Sequence, residues 1–233
     1  MFTIFKREFR AYFTSPIGAS ILLMFYFFSG LLFGVIFASG VSELSEMFST
    51  LFIIVMAIIP ILTMRLFSEE KRQKTDQLLY TAPVRLSSVA LGKFFAASAV
   101  YAIALGILVV YQIIIALFVS PDWMVFFGNF LGILLYGCSL IAIGMFISSL
   151  TESQVVAAII TFAVELLLLL IELITQFINN EIVTKIVNEI SVYERYNSFT
   201  RGTLDYSNII FFISVIAIFV FLTIRIQDRK RYA

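Results

Sequence analysis

The sequence predicts an all-α, polytopic membrane protein with six transmembrane helices, and three observations predict it. Hydrophobic residues make up 61% of the 233 residues and charged residues only 13%, about half the charged share of an ordinary soluble domain. Six runs are apolar enough to cross a bilayer, which takes about 20 such residues as a helix. The cations, finally, gather at alternate connections between the runs, as they do in membrane proteins of fixed orientation. A soluble chain would have to bury all six runs at once, with too few charges left to coat the outside.

The same composition excludes several function classes. With 16 Lys+Arg against 15 Asp+Glu there is no basic field, so nucleic acid is not a partner. Histidine is absent, which removes the commonest general base and metal ligand. The single Cys138 lies in an apolar run and is read as a packed thiol. No catalytic residue, metal site or cofactor site is predicted within the chain.

A leader of residues 1–15 comes first. Its Phe2, Ile4, Phe5, Phe9, Tyr12 and Phe13 alternate with Lys6, Arg7 and Arg10. Helical spacing puts the aromatics mostly on one face, as in a helix lying in the membrane interface; an ordinary positive flank is the plainer alternative. The spans follow at roughly 17–39, 47–67, 88–119, 124–148, 155–178 and 207–226. Ser42–Glu46, Ser120-Pro121-Asp122 and Thr151–Gln154 are polar breaks between them. Two connections are longer, about Arg65 to Ser88 and about Phe177 to Tyr206. No internal repeat relates the halves, which weighs against an inverted-repeat transporter.

Orientation follows from the loop cations. The leader (Lys6, Arg7, Arg10), the connection after the second span (Arg65, Lys71, Arg72, Lys74, Arg85, Lys93) and the tail (Arg225, Arg229, Lys230, Arg231) fall on one side. Lys185, Arg195 and Arg201 fall on the other, a split of thirteen to three. Both termini are therefore expected in the cytoplasm of a multi-pass cell-membrane protein.

The connection after the second span is the richest in signal. Glu69 and Gln73, and Glu70 and Lys74, are spaced to support a helix, which Pro83 would stop. The expected product, over residues 68–83, is a short charged helix with Leu78 and Leu79 on one side. It could fit a groove on a soluble partner; a solvated loop with anchoring charges reads equally well. In the connection of residues 177–206, Ile182, Val183, Ile186, Val187 and Ile190 recur at helical spacing. That suggests an interfacial or re-entrant helix, or a small lid.

Glu165 and Glu172 sit inside the fifth span, seven residues apart and so on one helix face. A charge at mid-membrane costs about 2.5–3.5 kcal/mol or more, so both should face protein or water. They either line a translocation path or hold an interhelical hydrogen bond. Gly30-x3-Gly34 and Gly128-x3-Gly132 would let membrane helices approach closely.

Four blocks carry a family resemblance. Glu69-Glu70-x4-Thr75-x2-Leu78-Leu79-x-Thr81-x-Pro83-Val84-x7-Gly92-Lys93, with Pro60–Arg65 before it, resembles the central signature of type-2 ATP-binding cassette (ABC) exporter permeases. Lys6-Arg7-Glu8-Phe9-x-Ala11-Tyr12-Phe13-x-Ser15-Pro16 resembles that family's N-terminal segment. Gly144-x-Phe146-Ile147-Ser148-Ser149-Leu150-Thr151-x2-Gln154 resembles its turn between the fourth and fifth spans, and Phe199-x-Arg201-Gly202-x-Leu204-Asp205 agrees with the same branch. The chain departs from many members at Lys74-Thr75-Asp76-Gln77, where they have Gly-Thr-x-Glu.

The resemblance implies a permease subunit that is not itself an enzyme. A separate nucleotide-binding subunit would carry ATP and magnesium; no phosphate-binding loop precedes Gly92-Lys93, because position 87 is Ser and Phe94 follows. The leader would be the connecting helix. Glu69, Glu70, Thr75, Leu78, Leu79, Thr81 and Pro83 would form the coupling surface. A second permease, copy or paralogue, would complete the path within the lipid, with Glu165 and Glu172 along it. Two rivals stay open: a proton-coupled secondary transporter using Glu165 and Glu172, and a membrane anchor or sensor subunit of an ABC complex.

Overall fold

The computed structural model describes residues 1–40, 44–75, 85–175, 191–202 and 205–232, with the backbone alone for 171–175 and 230–232. Nine α-helices and no strand lie among the described residues. They are α1 (Phe2–Thr14), α2 (Pro16–Ala38), α3 (Ser45–Thr63), α4 (Arg65–Arg72), α5 (Leu86–Ala116), α6 (Trp123–Leu150), α7 (Gln154–Thr175), α8 (Val192–Thr200) and α9 (Tyr206–Tyr232). Five stretches are long and apolar enough to cross a membrane: α2, the joined α3–α4, α5, α6 and α9. The fifth predicted span, α7, is apolar over Gln154–Leu170 and continues as helix to Thr175.

Local chemistry explains the starts and stops. Ser15 is extended and its Oγ accepts from the Ile17 amide at 3.2 Å, with Pro16 in the first helical position, where a missing N–H costs nothing. Asp122 caps α6 by accepting from Met124 and Val125 at 2.8 and 3.2 Å. Pro60 inside α3 withholds one ladder hydrogen bond, and the helix breaks one turn later, at Met64, before resuming as α4.

The α4 helix differs from the expected charged helix over 68–83. It begins earlier, at Arg65, and stops at Arg72. Lys74 takes a left-handed backbone conformation, φ 55°, and the Thr75 amide turns back onto the Glu70 carbonyl at 2.9 Å. That closes the helix as a left-handed cap does. Leu78, Leu79, Thr81 and Pro83 lie outside the described residues, as does the amphipathic pattern of 182–190. The helix α8 was not expected. Ser191 caps it, accepting from the Glu194 amide at 3.1 Å.

Burial sorts the helices into centre and periphery. Two thirds of the α6 spanning window is buried (67%), against 22% for α2 and 17% for α9. The central helix α6 packs against α3, α5, α7, α8 and α9 and also holds α4. Of the paired glycines, Gly132 gives the close helix approach expected and Gly34 does not. No atom lies near the place of a Cβ at Gly34, while Gly132 is closed over by Phe199 of α8. The bundle has two distinct ends. One gathers α1, α4, the start of α5 and the finish of α6; the other gathers Ser45, Asp122, Asn129 and α8.

Candidate functional site

The first end is organised by charges drawn from three helices. Lys93, on the second turn of α5, is 1% exposed. Its Nζ lies 2.9 Å from Glu70 of α4 and 3.3 Å from Glu8 of α1. Arg7 closes the group from outside, 2.6 Å from Glu8 and 3.0 Å from Glu70. Two anions and two cations thus neutralise one another, and Lys93 also sits over the Phe67 ring at 5.2 Å. Burial alone would push the Glu8 carboxyl up; Lys93, then Arg7, outweigh it and hold it below its ordinary value. Gly92 lets α1 come this close, because a Cβ there would meet the Ile4 side chain at 3.0 Å.

A second set of contacts anchors the first turn of α4. Ser148 of α6 accepts from the Phe67 and Ser68 amides at 3.1 and 3.2 Å and donates to the Met64 carbonyl at 3.0 Å. That uses the full capacity of one hydroxyl. Lys71 Nζ donates to the Ser149 carbonyl, one of the last α6 carbonyls, which lack helical partners. Arg65 donates to Ser15 Oγ at 2.9 Å, pairs with Glu69 at 3.5 Å and lies over the Tyr12 ring at 5.0 Å. The Tyr12 hydroxyl donates to the Leu62 carbonyl at 2.8 Å, and burial pushes it well above its ordinary value. The start of α4 and its inner face are therefore fastened to α1, α5 and α6.

The expected coupling residues are distributed unevenly over this end. Glu70 is inside the charge cluster, its side chain 19% exposed. Glu69 is on the outer face, paired with Arg65 and accepting from Gln73 at 3.5 Å. Thr75 folds back on the Glu70 carbonyl with its hydroxyl as well as its amide. Lys93, counted from the sequence among the loop cations, is corrected to a buried helical residue. Glu8, Lys93 and Ser148 stand in the motif blocks of the sequence, but none of them was expected at a functional site. A lysine that opens a long apolar run was a usable signal, since such a cation needs partners.

Glu165 lies elsewhere, in the protein interior between α7, α3, α6 and α8. It is 2% exposed, and neither carboxylate oxygen has a hydrogen-bond partner among the described residues. It lines a crevice with Phe52, Tyr136, Leu168, Val192 and Tyr193. The rings there form a cluster: Phe52 is 4.8 Å from both Tyr136 and Tyr193, centroid to centroid, and Tyr196 is 5.6 Å from Phe52. The Tyr196 hydroxyl ties α8 to α3 by donating to the Phe48 carbonyl at 2.6 Å. Glu172 belongs to the α7 backbone, and its side chain lies outside the description.

The family model described as "ABC-2 family transporter protein" matches residues 39–231. No curated protein matches the chain.

Proposed function

Because the chain belongs to the ABC-2 family of transporter proteins, we propose that it is the permease subunit of an ATP-driven exporter. ATP hydrolysis is then the work of a separate nucleotide-binding subunit. A second permease, copy or paralogue, supplies the other half of the path. The six helical runs all span the membrane in this reading, with both termini and α4 in the cytoplasm. Phe2, Phe5, Phe9 and Phe13, stacked along α1 at 5.0–6.2 Å, sit in the headgroup layer as the apolar face of an interfacial helix.

The observation that supports this most is the Glu8–Arg7–Glu70–Lys93 cluster. A charged segment that pushes against a soluble motor must not slide past the membrane body. Here α4 is pinned to α1 and α5 by buried ion pairs and to α6 by Ser148 and Lys71. A load on Glu69 or Thr75 would pass to α6, the central helix, as a displacement rather than as local bending. Glu69, Thr75 and the segment after Thr75 then form the contact surface, while Glu70 transmits.

The test is purification in mild detergent with assay of the eluate for ATPase activity, followed by Glu69→Ala and Thr75→Ala variants. We expect a co-eluting ATPase whose retention or substrate stimulation falls in the variants. Full retention and full coupling in both would remove the coupling assignment. Cysteines placed in a Cys138→Ala background test orientation: positions 74 and 152 should be protected from an impermeant reagent in whole cells, and positions 43, 122 and 185 labelled.

The buried Glu165 favours one second reading, a proton-coupled secondary transporter working with Glu172. It needs no ATPase, so transport that survives removal of every co-eluting ATPase would select it.

A further inference from the structure

We propose that the Glu165 crevice is a binding site for the primary ammonium head of an amphipathic amine. Three features of the site converge on that chemistry. The carboxylate is buried, yet among the described residues it accepts no hydrogen bond and takes part in no ion pair. A buried carboxyl without a partner is costly to ionise, and a cation brought beside it would supply the pairing charge that the described residues do not. The rings of Phe52, Tyr136 and Tyr193 line the same crevice, and aromatic faces attract a desolvated cation. No opposing requirement arises: every other residue lining the crevice is apolar.

Size and shape narrow the class. The enclosed space is about 10 Å³, near the threshold for one water. An –NH3+ group is of that size and carries three donors for the two carboxylate oxygens. A trimethylammonium group is several times larger and cannot enter without displacing rings that are already in contact. The rim is made by Leu168, Leu169, Val192 and Tyr193, all half-buried. An alkyl portion of the ligand would lie along these apolar residues while its head meets Glu165. Glu165 is eleven residues into α7, roughly 16 Å from its start, which is about half-way through the bilayer. A site at that depth, roofed by α8, is suited to a cargo that carries one positive head and an apolar body.

Binding is independent of the exporter reading, and only its meaning as cargo recognition rests on that reading. The experiment uses the 233-residue chain in detergent with any partner it retains. Its melting temperature is followed against n-butylammonium, n-butyltrimethylammonium and n-butanol. We expect a saturable rise with n-butylammonium, half-saturation at least tenfold weaker for the quaternary analogue, and no saturable effect of the alcohol. Glu165→Gln should weaken n-butylammonium at least tenfold, and Tyr193→Leu several-fold, in samples that remain monodisperse. No saturable effect of n-butylammonium, equal binding of the quaternary analogue, or undiminished binding by Glu165→Gln would each overturn the proposal. The comparison of the three ligands on the unmodified chain decides even if the variants do not fold. Failure of an ATPase to co-elute would sink the exporter reading and leave this site standing; failure of the amine to bind, with ATPase retained, would do the reverse.

Discussion

Replacing Lys93 by Met should be the most disruptive single change at the charged end of the bundle. Lys93 is 1% exposed and lies within 2.9 Å of Glu70 and 3.3 Å of Glu8. Met keeps most of the length and removes the ammonium, so two carboxylates are left facing each other beside an apolar helix. Removing one partner of a buried ion pair costs about 3–5 kcal/mol. Arg7 still reaches both acids, at 2.6 and 3.0 Å, which puts the expected loss near the lower figure, ~3 kcal/mol. Arg7 is itself 55% exposed, and a pair at that exposure is worth about 0–1 kcal/mol. The two cations touch the same acids and should differ severalfold in effect. The assay is thermal or denaturant unfolding of Lys93→Met and Arg7→Ala in one detergent, with Glu8→Gln added to Lys93→Met. Neutralising Glu8 should recover part of the loss, because the pair is coupled. Equal losses for Lys93→Met and Arg7→Ala, or a loss under ~1 kcal/mol for Lys93→Met, would refute the argument that burial makes this cluster the anchor.

Other predictions concern the same end of the molecule. Ser148→Ala removes the acceptor of the first-turn Phe67 amide and should cost about 1–3 kcal/mol, read as faster proteolysis near Met64; Ser148→Thr, which keeps the hydroxyl, should lose less. Gly144→Ala puts a Cβ into the Thr63 side chain and close to Thr161, an overpacking worth about 1–3 kcal/mol, and Thr63→Ala in the same chain, which removes the Oγ1 contact but keeps the Cβ, should restore only part of the melting temperature. Acid should loosen α1. The Glu8 pKa is lowered in the folded protein from an ordinary value of 4.5, so its stabilisation is complete above about pH 4.5 and is lost as pH falls below that value and through the folded pKa. Stability measured from pH 7 down to pH 3 should show this loss, and Glu8→Gln should flatten the acid limb.

Much of the fold was legible because helix boundaries are local chemistry. Ser15-Pro16 begins α2, Asp122 begins α6, and the six apolar runs place their helices within a few residues. Ser191-x-x-Glu194 is a capping-box pattern and marked the start of α8, yet it was overlooked beside the stronger periodicity of 182–190. The charged segment was expected as one helix over residues 68–83; among the described residues α4 covers Arg65–Arg72 and the chain turns at Lys74. Favourable Glu–Lys spacing is worth only tenths of a kcal/mol, too little to carry the helix through Lys74.

The partners of the key side chains were not legible at all. Glu8 and Lys93 are 85 residues apart, and Ser148 and Phe67 are 81 apart. No periodicity or composition encodes such pairs, because they exist only once α1 has folded over Gly92 and α6 has passed α4. By itself the sequence determined where the long apolar helices are, that the chain crosses a membrane several times, and that Glu165 could not face lipid. Those follow from the cost of exposing backbone and charge to hydrocarbon, which each segment bears alone. Only the tertiary structure decided that Lys93 is an anchor rather than a loop cation and that Glu165 faces aromatic rings with no hydrogen-bond partner among the described residues. Pairing depends on which helices become neighbours, and that is settled by packing the whole bundle around α6.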